Sequence, residues 1–75
     1  MKIVKNQETN VYYVRYNGQI EKVRLFEINS IKMFCLFEHP DKLAPIPIDS
    51  PSFKECSVNE VVEMFGENNL EIVTV

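Results

Sequence analysis

The sequence predicts an α+β fold: a mainly antiparallel β-sheet of four to five strands, arranged as a β-meander, with one short C-terminal helix packed on one face and then a final strand. Three observations predict it. An Asn-Gly pair separates two β-branched and aromatic runs, a capping-box sequence opens a helical apolar stripe, and the last residues alternate as LEIVTV. With 75 residues, 45% of them hydrophobic, we expect a single small domain, residues 1–75.

The first strands flank polar turns. Residues 2–5 are expected to form a short strand, and residues 11–16 and 19–28 a hairpin around Asn17-Gly18. Asn-Gly is the strongest short hairpin signal because a type I′ turn needs positive φ at both central positions.

The next strand, residues 31–37, is a nearly continuous apolar run, which is typical of a strand buried on both faces. If Asn29-Ser30 is a two-residue turn, Ile28 faces Ile31, and Glu27 faces Lys32 as a cross-strand ion pair. The sequence therefore predicts a three-stranded meander.

A proline-rich loop, residues 38–56, is expected to connect the meander to a helix over residues 57–66. Ser57 and Glu60 fit the capping box, and Gly66 is placed to end the helix in the left-handed region. Residues 70–75 form the last strand. The apolar positions of the helix fall on one face: Val58, Val61, Val62 and Phe65.

Strict alternation along strands that are joined by two-residue turns assigns the side chains to two faces of the sheet. The first, here called the Val14 face, holds Tyr12, Val14, Tyr16, Val23, Leu25, Phe34 and Leu36, and is interrupted by the charged Glu21. The second, here called the Tyr13 face, holds Val11, Tyr13, Arg15, Ile20, Lys22, Arg24, Phe26, Ile28, Ile31, Met33, Cys35 and Phe37. We expect the helix on the Val14 face.

One short helix leaves apolar side chains of the Tyr13 face uncovered. Something else must cover Phe26, Ile28, Met33 and Phe37. The favoured interpretation is that the proline-rich loop folds over them through Leu43, Ile46, Ile48 and Phe53. A second copy of the chain or a partner protein are the alternatives.

Charge is distributed unevenly along the chain, whose net charge is −3. Residues 1–32 carry six basic and three acidic groups, whereas residues 33–75 carry two basic and eight acidic groups. No apolar run is long enough to span a membrane, and the first residues lack an apolar signal core. Two cysteines are too few for a disulfide scaffold, so we expect free thiols and a cytoplasmic location.

No enzyme motif emerges, and no metal or cofactor is expected. Cys35, His39, Asp41 and Cys56 are suitable ligand types, but Cys35 and His39 would lie about 13 Å apart along an extended strand. Cys56 precedes the helix, where the dipole can lower a thiol pKa, and His39 is a formal base for it. A cysteine in that position is more often a small packing residue.

One short segment resembles a known family. The residues Glu38-His39-Pro40-Asp41-Lys42 contain the tripeptide of J-domain co-chaperones, and that resemblance implies two antiparallel helices flanking the motif. Here the preceding run is strand-like, and residues 43–52 contain three further prolines, which cannot begin a long helix. The sequence therefore does not predict a J-domain.

The leading functional hypothesis is a small cytosolic protein-protein interaction module that acts by surface binding without catalysis. By analogy of size and charge, it is an inhibitor of a host protein from a phage or mobile element. The alternatives are a nucleic-acid-associated protein that uses the basic, aromatic part of the sheet and a structural homodimer subunit. The expected partner-binding residues on the sheet are Tyr13, Arg15, Lys22, Arg24, Phe26, Met33 and Phe37, and those on the loop and acidic helix are Leu43, Ile46, Ile48, Glu60, Glu63 and Glu67.

Overall fold

A computed structural model describes residues 1–37 and 45–75 of the chain. It confirms the α+β class, with a mainly antiparallel sheet and one helix. The elements are β1 (Lys2–Asn6), β2 (Tyr12–Tyr16), β3 (Gln19–Ile28), β4 (Ile31–Leu36), β5 (Ile46–Pro47), β6 (Phe53–Lys54), α1 (Val58–Phe65) and β7 (Leu70–Thr74).

The sheet has the strand order β5-β4-β3-β2-β1-β7. Its centre is the predicted meander, and β1 joins the meander to β7. One side of β2 is divided between two partners. Tyr13 lies opposite Val4 of β1, whereas Tyr16 lies opposite Phe53 of β6.

Both predicted two-residue turns are present, so the predicted register is confirmed. Asn17 and Gly18 have φ of 49° and 87°, the left-handed conformations that a type I′ turn requires. In the second hairpin, Ile28 lies opposite Ile31 and Glu27 lies opposite Lys32. The assignment of side chains to the two faces is therefore correct through the meander.

The helix begins and ends where its capping residues predict. The Ser57 hydroxyl accepts a hydrogen bond from the Glu60 N–H, and the Glu60 carboxylate accepts one from the Ser57 N–H, at 3.1 Å each. Gly66 has φ of 63°, and its N–H donates to the Val62 carbonyl. The eight-residue helix thus lies between its two predicted caps.

The predicted proline-rich loop contains two short strands. Residues 45–56 include β5, which pairs with β4, and β6, which pairs with β2. Each strand has only two residues, which is too short to produce a visible alternation. Residues 38–44, with His39-Pro40-Asp41 and Leu43, lie outside the described residues.

The prediction that the helix packs on the Val14 face is wrong. Val61 of the helix lies in a buried cluster with Val4, Tyr13, Ile20 and Cys56, on the Tyr13 face. The basic residues of this face provide the physical reason, because two of them form ion pairs with glutamates of the helical segment. The negative charge of the helical segment is therefore complementary to the positive charge of this face.

The Val14 face is covered instead by the segment after residue 44. Phe53 is only 5% exposed and belongs to the buried cluster of Val14, Val23 and Phe34, and Ile46 and Ile48 pack against that cluster. The expectation that Ile46, Ile48 and Phe53 cover the Tyr13 face is therefore wrong. Strand register decides this, since Ile46 lies opposite Phe34 and opposed residues share a face.

Within residues 1–37 and 45–75, the helical part of the chain is too short and too polar to cross a membrane.

Candidate functional site

The basic residues of the Tyr13 face are engaged by the helical segment. Arg15 forms an ion pair with Glu60, and the Lys22 ammonium lies 3.0 Å from a carboxylate oxygen of Glu67. These two pairs anchor the two ends of the helical segment to β2 and β3. Two of the three predicted basic binding residues and two of the three predicted glutamates are thus partners of one another. The third glutamate, Glu63, is exposed.

Glu67 is the centre of a small polar network over the sheet. Its carboxylate accepts hydrogen bonds from the Tyr13 hydroxyl and from the Asn6 side-chain amide, the latter at 2.9 Å. Partial burial alone would raise the pKa of the Glu67 carboxyl, but hydrogen bonds from Tyr13, Lys22 and Asn6 outweigh it and hold that pKa below its ordinary value. Glu67 is therefore a stably charged anchor for the segment that follows the helix.

Tyr13 is fully buried between the sheet and the helix. Its side chain is 0% exposed, and its ring centroid lies 5.2 Å from that of Phe65. Burial, together with the neighbouring Glu67 charge, raises the pKa of the Tyr13 hydroxyl. The ring has no face free for stacking on an incoming base.

The apolar part of the Tyr13 face lies beyond the helix, at the far end of the β3–β4 hairpin. Exposed fractions are 36% for Phe26, 39% for Ile28 and 51% for Ile31. The register places Ile28 opposite Ile31 and Phe26 opposite the half-buried Met33. These four residues are called the hairpin surface below.

A shallow groove adjoins the hairpin surface. It has a volume of about 470 Å³. The Arg24 guanidinium lies 4.6 Å from the centroid of the Phe37 ring at one side of it, which places both of these predicted residues at the groove. Its lining consists of Thr9, Asn10, Val11, Arg24, Leu25, Phe26 and Phe37.

β3 has a free edge beside this groove. Its pairing with β2 stops at Val23, opposite Tyr12, although β3 continues to Ile28. The Phe37 N–H donates to the Lys22 carbonyl, so even-numbered residues of β3 bond to the β4 side. By alternation, Leu25 and Glu27 direct their N–H and C=O groups to the other side, where no strand of the described residues pairs with them.

The thiol of Cys56 is poorly placed for nucleophilic chemistry. It is 8% exposed and lies 3.6 Å from the Tyr13 carbonyl oxygen, to which it donates. Burial, and then the negative charge of Glu60, raise the pKa of this thiol. Its proposed base, His39, lies outside the described residues.

Metal-ligand clusters are absent from residues 1–37 and 45–75, where no group of three or more His, Cys, Asp or Glu side chains lies together. Cys35 and Cys56 are both free thiols. Of the predicted loop residues, Ile46 and Ile48 are half-buried against the core of the Val14 face, and Leu43 lies outside the described residues.

Two features of this surface were missed by the sequence reasoning. Asn6, 4% exposed, accepts hydrogen bonds from the N–H groups of Glu8 and Thr9, and so fixes the turn that forms one wall of the groove. No sequence signal distinguishes it from other turn asparagines. The free edge of β3 did have a signal, because the predicted strand 19–28 is much longer than its partner, 11–16.

Comparisons of the chain with protein-family models, curated proteins and solved structures gave no match.

Proposed function

We propose that this chain is a small protein-binding module, and that the hairpin surface is where its partner binds. The observation that carries the proposal is the exposure of Phe26, Ile28 and Ile31, between 36% and 51%, side by side on one face of a hairpin. Each Å² of apolar area that a partner removes from water contributes roughly 25 cal/mol of favourable hydrophobic free energy. Apolar side chains gathered in this way are typical of interaction sites rather than of isolated surface residues.

The free edge of β3 supports an extended segment as the bound part of the partner. Leu25 and Glu27 present unpaired backbone donors and acceptors beside the hairpin surface. An extended peptide can add to such an edge as a further strand, and its alternate side chains then contact the neighbouring face. The adjoining groove offers room for one or two of these side chains.

The charges around the hairpin surface favour a partner segment that is apolar and carries little net charge. Glu27 and Lys32 lie opposite one another on the other face of the hairpin, so neither charge belongs to the hairpin surface. Arg24 lies over the Phe37 ring, where its charge is partly engaged by a cation–π contact. Specificity then comes from strand pairing and apolar contact.

The biological setting of this binding is part of the proposal. A cytoplasmic inhibitor of a host protein, encoded by a phage or mobile element, remains our prediction for the role, and it rests on the small size and acidity of the chain. Binding without catalysis requires no cofactor, and none is part of the proposal.

Nucleic-acid binding is the less favoured function. The residues expected to bind nucleic acid are Tyr13, Arg15, Lys22 and Arg24. Of these, Tyr13 is 0% exposed, and Arg15 and Lys22 are ion-paired with glutamates. Phosphate binding would have to compete with those pairs. We therefore expect no shift of single-stranded DNA or RNA in a gel at low salt.

The protein-binding proposal is tested by two matched substitutions. Ile31→Asp places a charge on the hairpin surface, whereas Met64→Asp places one on a flank of the helix, where Met64 is 59% exposed. The tagged wild-type chain and both variants are used to capture proteins from extracts of the organism that encodes the chain. The partner should be retained by wild type and Met64→Asp and lost from Ile31→Asp.

Titration with the purified partner then gives the magnitude. We expect Ile31→Asp to raise the dissociation constant of the complex at least roughly tenfold, which corresponds to a loss of about 1.4 kcal/mol in binding free energy. Circular dichroism and thermal unfolding check that both variants fold. Equal binding by Ile31→Asp and wild type, or equal loss in both variants, would show that the hairpin surface is not the binding site.

A further inference from the structure

The outer edge of β7 offers a second set of unpaired backbone groups. On its inner side β7 pairs with β1 along its whole length, from Leu70 opposite Asn6 to Thr74 opposite Lys2. The Val75 N–H donates to the Met1 carbonyl at 2.8 Å, so Val75 and, by alternation, Val73 and Glu71 bond to β1. Leu70, Ile72 and Thr74 therefore direct their N–H and C=O groups outward, where no strand of the described residues pairs with them.

This edge lacks the features that normally prevent strand pairing. Natural edge strands carry proline, lysine, a bulge or an inward-pointing charge. The segment Leu70–Thr74 (LEIVT) has no proline or lysine, and its register with β1 is continuous. Its one charged residue, Glu71, lies opposite Lys5, which offsets the charge.

We infer that a second copy of this chain pairs with β7 across a twofold axis at Ile72. In this antiparallel register Ile72 lies opposite Ile72 of the partner subunit. Leu70 then lies opposite Thr74 of the partner subunit, so three outward-facing residues of each strand meet. The two strands exchange about six main-chain hydrogen bonds, and the two sheets become one.

The side chains at this edge suit a copy of the same strand. Glu71 lies opposite Val73 of the partner subunit, so no like charges are opposed, and Ile72, 47% exposed, meets its own equivalent. A twofold interface must be self-complementary in this way. A strand from an unrelated protein would have no such constraint, which is why we assign the edge to a second copy.

The helix adds apolar area to the same edge. Glu60 and Met64 lie on the flank of the helix that borders Ile20 of β3. Val62 lies about 160° around the helix from both of them, at 100° per residue, and thus faces the β1–β7 side. Its side chain is 44% exposed and that of Ile72 is 47% exposed, and we assign both to the apolar centre of the interface.

This self-association does not depend on the proposed protein-binding function. β7 and the β4–β5 pair lie at opposite ends of the strand order, so the hairpin surface remains open in the dimer. A dimer would present two hairpin surfaces, one from each copy.

Sedimentation velocity over a range of concentrations tests the inference with two variants and a control. Ile72→Pro removes an outward N–H without breaking the bonds to β1, and Ile72→Lys adds an edge charge. We expect wild type and Met64→Lys to reach twice the chain mass of 8.8 kDa. Both Ile72 variants should remain at 8.8 kDa, while circular dichroism shows them folded.

A cysteine at the twofold axis tests the register itself. Opposed residues of a hydrogen-bonded pair have Cα atoms about 5.5 Å apart, which permits a disulfide. In a Cys35→Ser background, Ile72→Cys should form a cross-linked dimer under mild oxidation, and Met64→Cys should not. A wild-type chain that stays monomeric at every concentration, or a dimer that persists in Ile72→Lys, overturns the inference.

Discussion

Replacing Phe53 by alanine tests how the Val14 face is covered. Phe53 is 5% exposed, and its ring lies 4.9 Å from that of Phe34 and 5.2 Å from that of Tyr16, measured between centroids. Truncating a buried phenylalanine costs about 3–5 kcal/mol. A domain of this length has a total stability of roughly 4–11 kcal/mol, so Phe53→Ala should remove a large part of it.

Phe26→Ala is the matched control, since it makes the same chemical change at a side chain that is 36% exposed. We expect it to cost about 1 kcal/mol or less, as is usual for partly exposed positions. The assay is urea denaturation followed by circular dichroism, with the free energy of unfolding extrapolated to water. A Phe53→Ala variant within about 1 kcal/mol of wild type, or equal losses in both variants, would refute this account of the core.

Two further predictions concern titrating groups. Glu67→Gln removes the ion pair with Lys22 and the charged acceptor of the Tyr13 hydroxyl, and should lower the free energy of unfolding by about 1–2 kcal/mol at neutral pH. Because the folded-state pKa of Glu67 is lowered, wild type should lose this contribution to stability as the pH falls below about 4.3, the ordinary glutamate pKa. The free energy of unfolding of Glu67→Gln should fall less over the same pH range. Identical pH dependence of unfolding in the two chains would contradict the network. Since burial and Glu60 raise the pKa of Cys56, iodoacetamide should alkylate that thiol far more slowly in the folded chain than in urea, and equal rates would contradict its burial.

Local signals predicted the meander and the helix. Asn17-Gly18 specifies a turn whose backbone angles few other pairs adopt, and the Ser57–Glu60 capping box supplies bonds that a helix start requires. Each signal lies within a few residues of sequence and acts through the backbone itself. For this reason the predicted register of the β2–β3 and β3–β4 hairpins and both predicted ends of the helix are correct.

The packing of the helix could not be predicted in the same way. Alternation assigns side chains to two faces, but it does not say which face a distant helix covers. That choice depends on the Arg15–Glu60 and Lys22–Glu67 pairs, which join elements more than 40 positions apart. The glutamates of the helical segment and the basic residues of the sheet were both recognised in the sequence, but the sequence did not show that they pair with one another.

The candidate site likewise contains residues that the sequence predicted correctly and residues that it did not. Phe26 and Met33 were recognised as uncovered apolar residues from the excess of apolar sheet surface. Ile46 and Ile48 were predicted to bind a partner. In a segment whose strands have only two residues, the sequence shows no alternation that would indicate which face of the sheet these side chains cover. The short strands β5 and β6 place that segment on the Val14 face through backbone pairing alone.

The pairing of β1 with β7 has a consequence for how the chain folds. Lys2 meets Thr74 and Asn6 meets Leu70, so this ladder joins residues more than 60 positions apart. Contacts of such separation slow folding, because a long loop must close before any bond of the ladder forms. The β2–β3–β4 meander can form while the chain is still being synthesised, and β1 can pair with β2, but the outer edge of β1 has to wait for the segment after the helix. Until then the edge of β1 is open to other chains, which makes this stage of folding the one most exposed to aggregation.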